Sequence, residues 1–131
     1  NVSAVEIEIF SQELIIRGNN LTIQIKNAVN VTDIKVEIVN IIGERLVLLT
    51  TEDMTKREDS YYINHFIPEN VKIGNYIIET TLYKDDETQE NMSKQLKIEE
   101  KTIKEKIKAR IDEIVSAIYT FFNTIVTKIY I

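Results

Sequence analysis

The hydrophobic period of this chain changes once, near residue 100, and that change limits the folds open to it. Up to about residue 99, apolar residues recur at every second position; from Thr102 onward they recur every three or four. The first pattern gives a strand one face for a core and one for water. Val5, Ile7 and Ile9 alternate with Glu6 and Glu8; Leu21, Ile23 and Ile25 with Thr22, Gln24 and Lys26; Ile34, Val36 and Ile38 with Lys35 and Glu37. Gly18-Asn19-Asn20 and the segment from Asn27 to Thr32 supply turns, and Ile15-Ile16 forms a short strand after a break at Ser11-Gln12.

Further along, Arg45 to Thr51 is rich in leucine and β-branched residues, Glu52 to Asp59 is a polar loop, and Ser60 to Ile67 resumes the extended pattern. Pro68 ends that strand because proline has no N–H for the ladder. After Gly74 a long strand places Tyr76, Ile78, Thr80 and Leu82 on one face, and Lys84-Asp85-Asp86-Glu87 turns it back into Met92 to Ile98. Short strands with turn signals about every ten residues predict a mainly β fold: an immunoglobulin-like antiparallel β-sandwich of seven or eight strands over residues 1–99. One long C-terminal α-helix over residues 102–131 comes after it.

A hydrophobic content of 44% suits a chain with a real core. The net charge of −5 argues against nucleic acid as a partner, because phosphate binding needs a concentrated basic face. Lys97, Lys101, Lys104, Lys106, Lys108 and Arg110 do gather, but Glu99, Glu100 and Glu105 dilute them into a solvated helix surface. With no cysteine there is no disulfide framework, thiolate zinc site or thiol nucleophile. Asn1 in place of methionine is read as the start of a processed mature protein or of a fragment. Sequons at Asn1, Asn20, Asn30 and Asn91 are candidate glycosylation sites, where chance would give about one or two. Glycosylation at these positions implies a surface-exposed glycoprotein.

The run from Leu21 to Asn27, followed by Ile34 to Ile38, resembles the second and third strands of immunoglobulin-like domains from archaeal and bacterial surface proteins, the S-layer-associated and CARDB-type modules. Phe66-Ile67-Pro68 with Ile73-Gly74-Asn75-Tyr76 is similar to the same family's passage into its penultimate strand. The match covers residues 1–99 and lacks the Cys…Trp…Cys signature of antibody domains. The resemblance implies an adhesive, spacer or assembly module, extracellular or at the cell surface.

The helix opens on a capping box, Thr102-Ile103-Lys104-Glu105, in which the hydroxyl and the carboxylate each accept the other residue's amide. No Gly or Pro interrupts residues 103–131. At 100° per residue, Ile107, Ile111, Ile114, Val115, Ile118, Phe121, Phe122, Ile125, Val126 and Ile129 share one apolar arc roughly 160° wide. The opposite arc carries Asp112, Glu113, Ser116, Thr120, Asn123, Thr124 and Thr127.

Such a face demands a cover. Self-association or partner helices fit apolar residues at 103, 107, 111, 114, 118, 122, 125 and 129, whose mean spacing of about 3.7 keeps one stripe turned to a neighbour. Membrane contact through residues 114–131 is a second option. That stretch holds one charge, Lys128, and would reach about 27 Å, but it carries a polar face and its basic flank lies on the sandwich side. Packing against the preceding domain is the third.

Catalytic and cofactor signals are absent. His65 has no cysteine to pair with, and three glycines cannot supply a phosphate or dinucleotide loop. The expectation is a chain with no catalytic residues, no cofactor and no metal, acting as a structural or adhesion module that assembles through its helix into a surface layer, fibre or complex. The alternative is a membrane-tethered ligand-binding module. It would take calcium at Glu52-Asp53, Glu58-Asp59 and Asp85-Asp86-Glu87, or carbohydrate on Tyr61, Tyr62, Tyr76 and Tyr83, of which alternation already assigns Tyr76 to the core as a hydroxyl-anchored corner.

Overall fold

The computed structural model describes residues 6–130, excluding the side chains of Ile103 and Tyr130, and divides into two units, 1–100 and 101–131. Among the described residues the first unit holds nine strands: β1 (Glu8–Ser11), β2 (Leu14–Ile16), β3 (Asn20–Lys26), β4 (Val31–Asn40), β5 (Arg45–Thr50), β6 (Thr55–Arg57), β7 (Ser60–Phe66), β8 (Gly74–Lys84) and β9 (Gln89–Glu99). They form a four-stranded sheet in the order β1-β3-β7-β6 and a five-stranded sheet in the order β2-β9-β8-β4-β5. The alternating residues lock the two together. Leu21, Ile23 and Ile25 of β3 and Ile63 of β7 are buried in one core with Ile34, Val36 and Ile38 of β4, Ile78 and Leu82 of β8, and Leu96 and Ile98 of β9.

This order matches an immunoglobulin domain, four strands facing a sheet whose centre is the third, penultimate and last major strands. A second feature agrees with it. The Tyr76 hydroxyl, near the start of the penultimate strand β8, donates 2.7 Å to the carbonyl of Lys72, four residues upstream. In antibody domains the corner tyrosine lies two residues before a core cysteine; here that position is Ile78, fully buried, and aliphatic packing stands in for the disulfide.

Three local features depart from the expected pattern. The segment from Glu52 to Asp59, read as loop, contains a single 3-10 turn (Thr51–Asp53) and then β6, which pairs with β7 from Arg57↔Ser60 to Thr55↔Tyr62. Three polar, exposed residues show no period, so this strand is silent in the sequence. β1 begins at Glu8; Val5 lies outside the described residues, and Ile9 alone of β1 is buried. Finally, the sandwich is not wholly antiparallel. After Ser11 the chain crosses to the other sheet and β2 runs parallel to β9, Leu14↔Lys97 to Ile16↔Glu99. Where β1 leaves, the Gln12 side-chain oxygen accepts the Thr22 amide at 3.0 Å, so that donor is not left unpaired.

Turns are set by residues tolerant of positive φ. Gly18, at φ +90°, has Glu69 so close that a Cβ would meet its Cγ at 3.0 Å, while Asn27 and Asn30 take φ of 60° and 62° between β3 and β4.

Among the described residues the core contains one polar exception. Thr80 is 1% exposed and its hydroxyl has no hydrogen-bond partner. Thr80→Val, which keeps the shape, is therefore expected to be neutral or to stabilise by up to about 1 kcal/mol. Tyr76→Phe removes a made bond and is expected to cost about 1 kcal/mol. Urea midpoints of the two variants should shift in opposite directions or, at minimum, only the second should fall.

Candidate functional site

The second unit is the helix α1 (Ile103–Tyr130), 28 residues long. Its capping box forms: the Glu105 amide donates to the Thr102 hydroxyl at 3.2 Å, and the Thr102 amide donates to the Glu105 carboxylate at 3.1 Å. Two of the donors orphaned at a helix start are thereby satisfied.

Every described side chain of α1 is exposed. Ile107, Ile111, Ile114, Val115 and Ile118 are 53–61% accessible, Phe121 and Phe122 are 67% and 65%, Ile129 is 69%, and Ile125 and Val126 are 39% and 38%. The predicted face is thus present as one open apolar surface. Its width is uneven: Lys104 and Lys108 fall on the same arc as Val115, Phe122 and Val126, so the stripe is narrow before Ile111 and broad after it.

The opposite arc has a property that spacing alone does not reveal. Thr120 donates its hydroxyl to the Ser116 carbonyl at 3.0 Å, Thr124 to Thr120 at 2.9 Å and Thr127 to Asn123 at 2.8 Å. These hydroxyl protons are already bonded within the helix, so covering this side strands fewer polar groups than the composition suggests. Even so, among the described residues no helix is long and apolar enough to cross a membrane. The candidate span 114–131 extends past them, as Ile131 is outside the described residues. Ser116, Thr120, Asn123, Thr124, Thr127 and Lys128 hold down its hydropathy.

The alternative ligand sites do not assemble. Among the described residues no group of three His, Asp or Glu side chains is arranged to hold a metal. The acidic residues instead serve their own turns: Asp53 accepts the Thr50 amide, Asp33 accepts the Thr51 hydroxyl, and Asp86 accepts both the amide and the hydroxyl of Thr88, which holds the Asp86 carboxyl below the usual carboxylate range. Nor do the tyrosines form a platform. Tyr61 and Tyr76 are buried, and Arg57 covers the ring of Tyr62, whose hydroxyl accepts from Gln24. Tyr62 lies in the four-stranded sheet and Tyr83 in the five-stranded one, each on the side away from the core.

Three of the sequon asparagines, Asn20 at the start of β3, Asn30 in the β3–β4 turn and Asn91 on β9, are exposed; Asn1 lies outside the described residues. His65 is half-buried on β7, and burial pushes its imidazole below the usual range against a smaller opposing effect of the Asp53 carboxylate.

No protein-family model matches the chain, and no curated protein matches it in sequence. Solved structures do. CopC from Methylosinus trichosporium OB3b is similar with a TM-score of 0.50 at 8% identity, over 72% of this chain and 92% of that one. A mutant of Salmonella alpha-2-macroglobulin is similar with a TM-score of 0.51 at 14% identity, over 78% of this chain but 7% of that one. The fold is an immunoglobulin-like β-sandwich. At these identities the likeness extends to the fold alone.

The position of His65 has a pH consequence. Its folded pKa lies below the unfolded value of 6.5, so the unfolded chain binds more protons between the two. The corresponding stability is present above about pH 6.5 and is lost as pH falls through the folded pKa. Urea midpoints are expected to be lower at pH 5 than at pH 7.5, and His65→Gln should narrow that difference; an unchanged difference would place the effect elsewhere.

Proposed function

We propose that this chain is a non-enzymatic structural module, extracellular or at the cell surface, that assembles through α1 into a surface layer, fibre or complex. The observation that carries the reading is the unbroken apolar surface from Ile107 to Ile129, open along about 33 Å of helix. Large apolar side chains each release about 1.5 to 3 kcal/mol when removed from water, so a face of ten is a strong drive to association. Other copies of the chain or partner helices are the favoured cover over lipid. A stripe with mean spacing of about 3.7 suits helix packing, and the polar arc lacks the lysines that an interfacial helix would carry along its second half.

The resemblance of residues 1–99 to S-layer-associated and CARDB-type modules of archaeal and bacterial surface proteins supports the location, as do three exposed sequons suited to glycosylation. The enzymatic alternative lacks support because the polar groups of the sandwich are engaged in turns and corners rather than gathered at one place.

Replacing Ile118 and Ile125 together by Glu tests the proposal. Wild-type chain in detergent-free buffer is expected to sediment as an oligomer. The double variant, forced to bury two carboxylates, should associate at least about 100-fold more weakly while its sandwich melts unchanged. A wild-type monomer, or a variant of unchanged mass, would refute helix-mediated assembly.

A further inference from the structure

The helix α1 repeats its own sequence every eleven residues. Ile103, Ile114 and Ile125 open three successive runs, and four residues into each stand Ile107, Ile118 and Ile129. The repeat is not confined to the apolar arc. Val115 and Val126 are eleven apart, and so are Ser116 and Thr127, and Asp112 and Asn123. Amphipathicity needs only polar and apolar classes to recur, whereas here residue types recur; eleven residues in three turns is the period of right-handed helix packing.

That period restricts what can cover the face. A helix with a seven-residue stripe winds left-handed, and its stripe turns away from an eleven-residue one by about 5° per residue, or about 100° between Ile107 and Ile129. A close partner therefore carries the same eleven-residue stripe, and α1 of another copy has it by identity. Lipid imposes no such period. Breadth sets the number: the arc is roughly 160° wide, more than the narrow seam one neighbour covers, so each helix needs a neighbour on both sides. Isoleucine along the seam, at 111, 114, 118 and 125, favours three or four strands over two.

Charge sets the direction. Arg110 and Lys128 are 18 residues apart, about five turns, and so share one flank of the arc, while Lys108 and Asp112 lie toward the other. Antiparallel packing that keeps the stripe matched, 107 against 129 and 111 against 125, joins like flanks. It sets Lys128 of each copy about 3 Å along the axis from Arg110 of the other, twice in every pair. Parallel packing joins opposite flanks. Arg110 then meets Lys108 and Asp112 together, whose charges cancel, and Lys128 meets a stretch of the facing flank with no charge.

We propose that α1 is covered by α1 of other copies of this chain, in a bundle of three or more helices packed parallel and in register. The inference rests on the reading of α1 as an assembly helix and adds its partner, direction and minimum number.

The chain has no cysteine, so a single engineered thiol reports cleanly. In the full chain, Ile111→Cys and Ile125→Cys, each alone, are expected to oxidise to covalent dimers at least tenfold faster than Ser116→Cys on the polar arc. In-register parallel packing brings each of these residues to its own counterpart, within the roughly 7 Å between Cα atoms that a disulfide spans. Antiparallel packing with the stripe matched would hold both pairs about 21 Å apart and cross-link only a mixture of the two variants. Sedimentation of the wild-type chain in detergent-free buffer should give at least three chains of 15.2 kDa. An oligomer of two chains, or one that cross-links at only one of the two positions or at neither, would overturn this arrangement and leave helix-mediated assembly standing. A wild-type monomer would overturn both.

Discussion

Aliphatic packing between the two sheets is the interaction on which the rest of the sandwich depends. The chain has neither the disulfide nor the tryptophan around which antibody domains are built, so Leu21, Ile23 and Ile25 must meet Ile34, Val36, Ile38, Ile78 and Ile98 with no covalent tie. A strand slipped by one residue would turn all of these into water, and this fixes the register of β3, β4 and β8. The corner hydrogen bond of Tyr76 and the side-chain acceptor of Gln12 then satisfy polar groups at two places where the ladder stops. What packing does not supply is closure of the sheets, and three of their four edge strands, β1, β2 and β6, are no more than four residues long.

The two units solve the burial problem differently. In the sandwich the apolar positions are almost all inside; in α1 none of the described ones is. A capping box contributes on the order of 1 kcal/mol and intrahelical hydroxyl bonds add little, while most helical stability in proteins comes from packing of an apolar face. On the proposed reading, the face from Ile107 to Ile129 gains that packing from a neighbour. The Thr120, Thr124 and Thr127 hydroxyls, turned back onto the helix, make the opposite arc tolerant of crowding as well.

Much of the fold is legible in the residues because burial and period are tied together. The alternation in β3, β4 and β8 names the core, Tyr76 announces its corner, and Thr102 with Glu105 announces the helix start. Three features are hidden for physical reasons. Thr55–Arg57 is too short and too polar to show a period. The sheet crossing at Gln12 depends on which long-range partner captures Leu14 to Ile16, which no local pattern encodes. The run Arg45 to Thr50 is apolar on both faces, and a sequence cannot distinguish a central strand from an unguarded edge. In the helix, the arc is legible but its narrowing at Lys104 and Lys108 and the spent hydroxyls are not.

Under the proposed assembly, the stability of α1 comes above all from cover of its apolar face by other chains. Amide hydrogen exchange across residues 111–129 of the full chain, measured over a dilution series in detergent-free buffer, tests this most directly. Protection is expected to fall as the chain is diluted, while the β3, β4 and β8 amides stay protected throughout. Helix protection independent of concentration would contradict it.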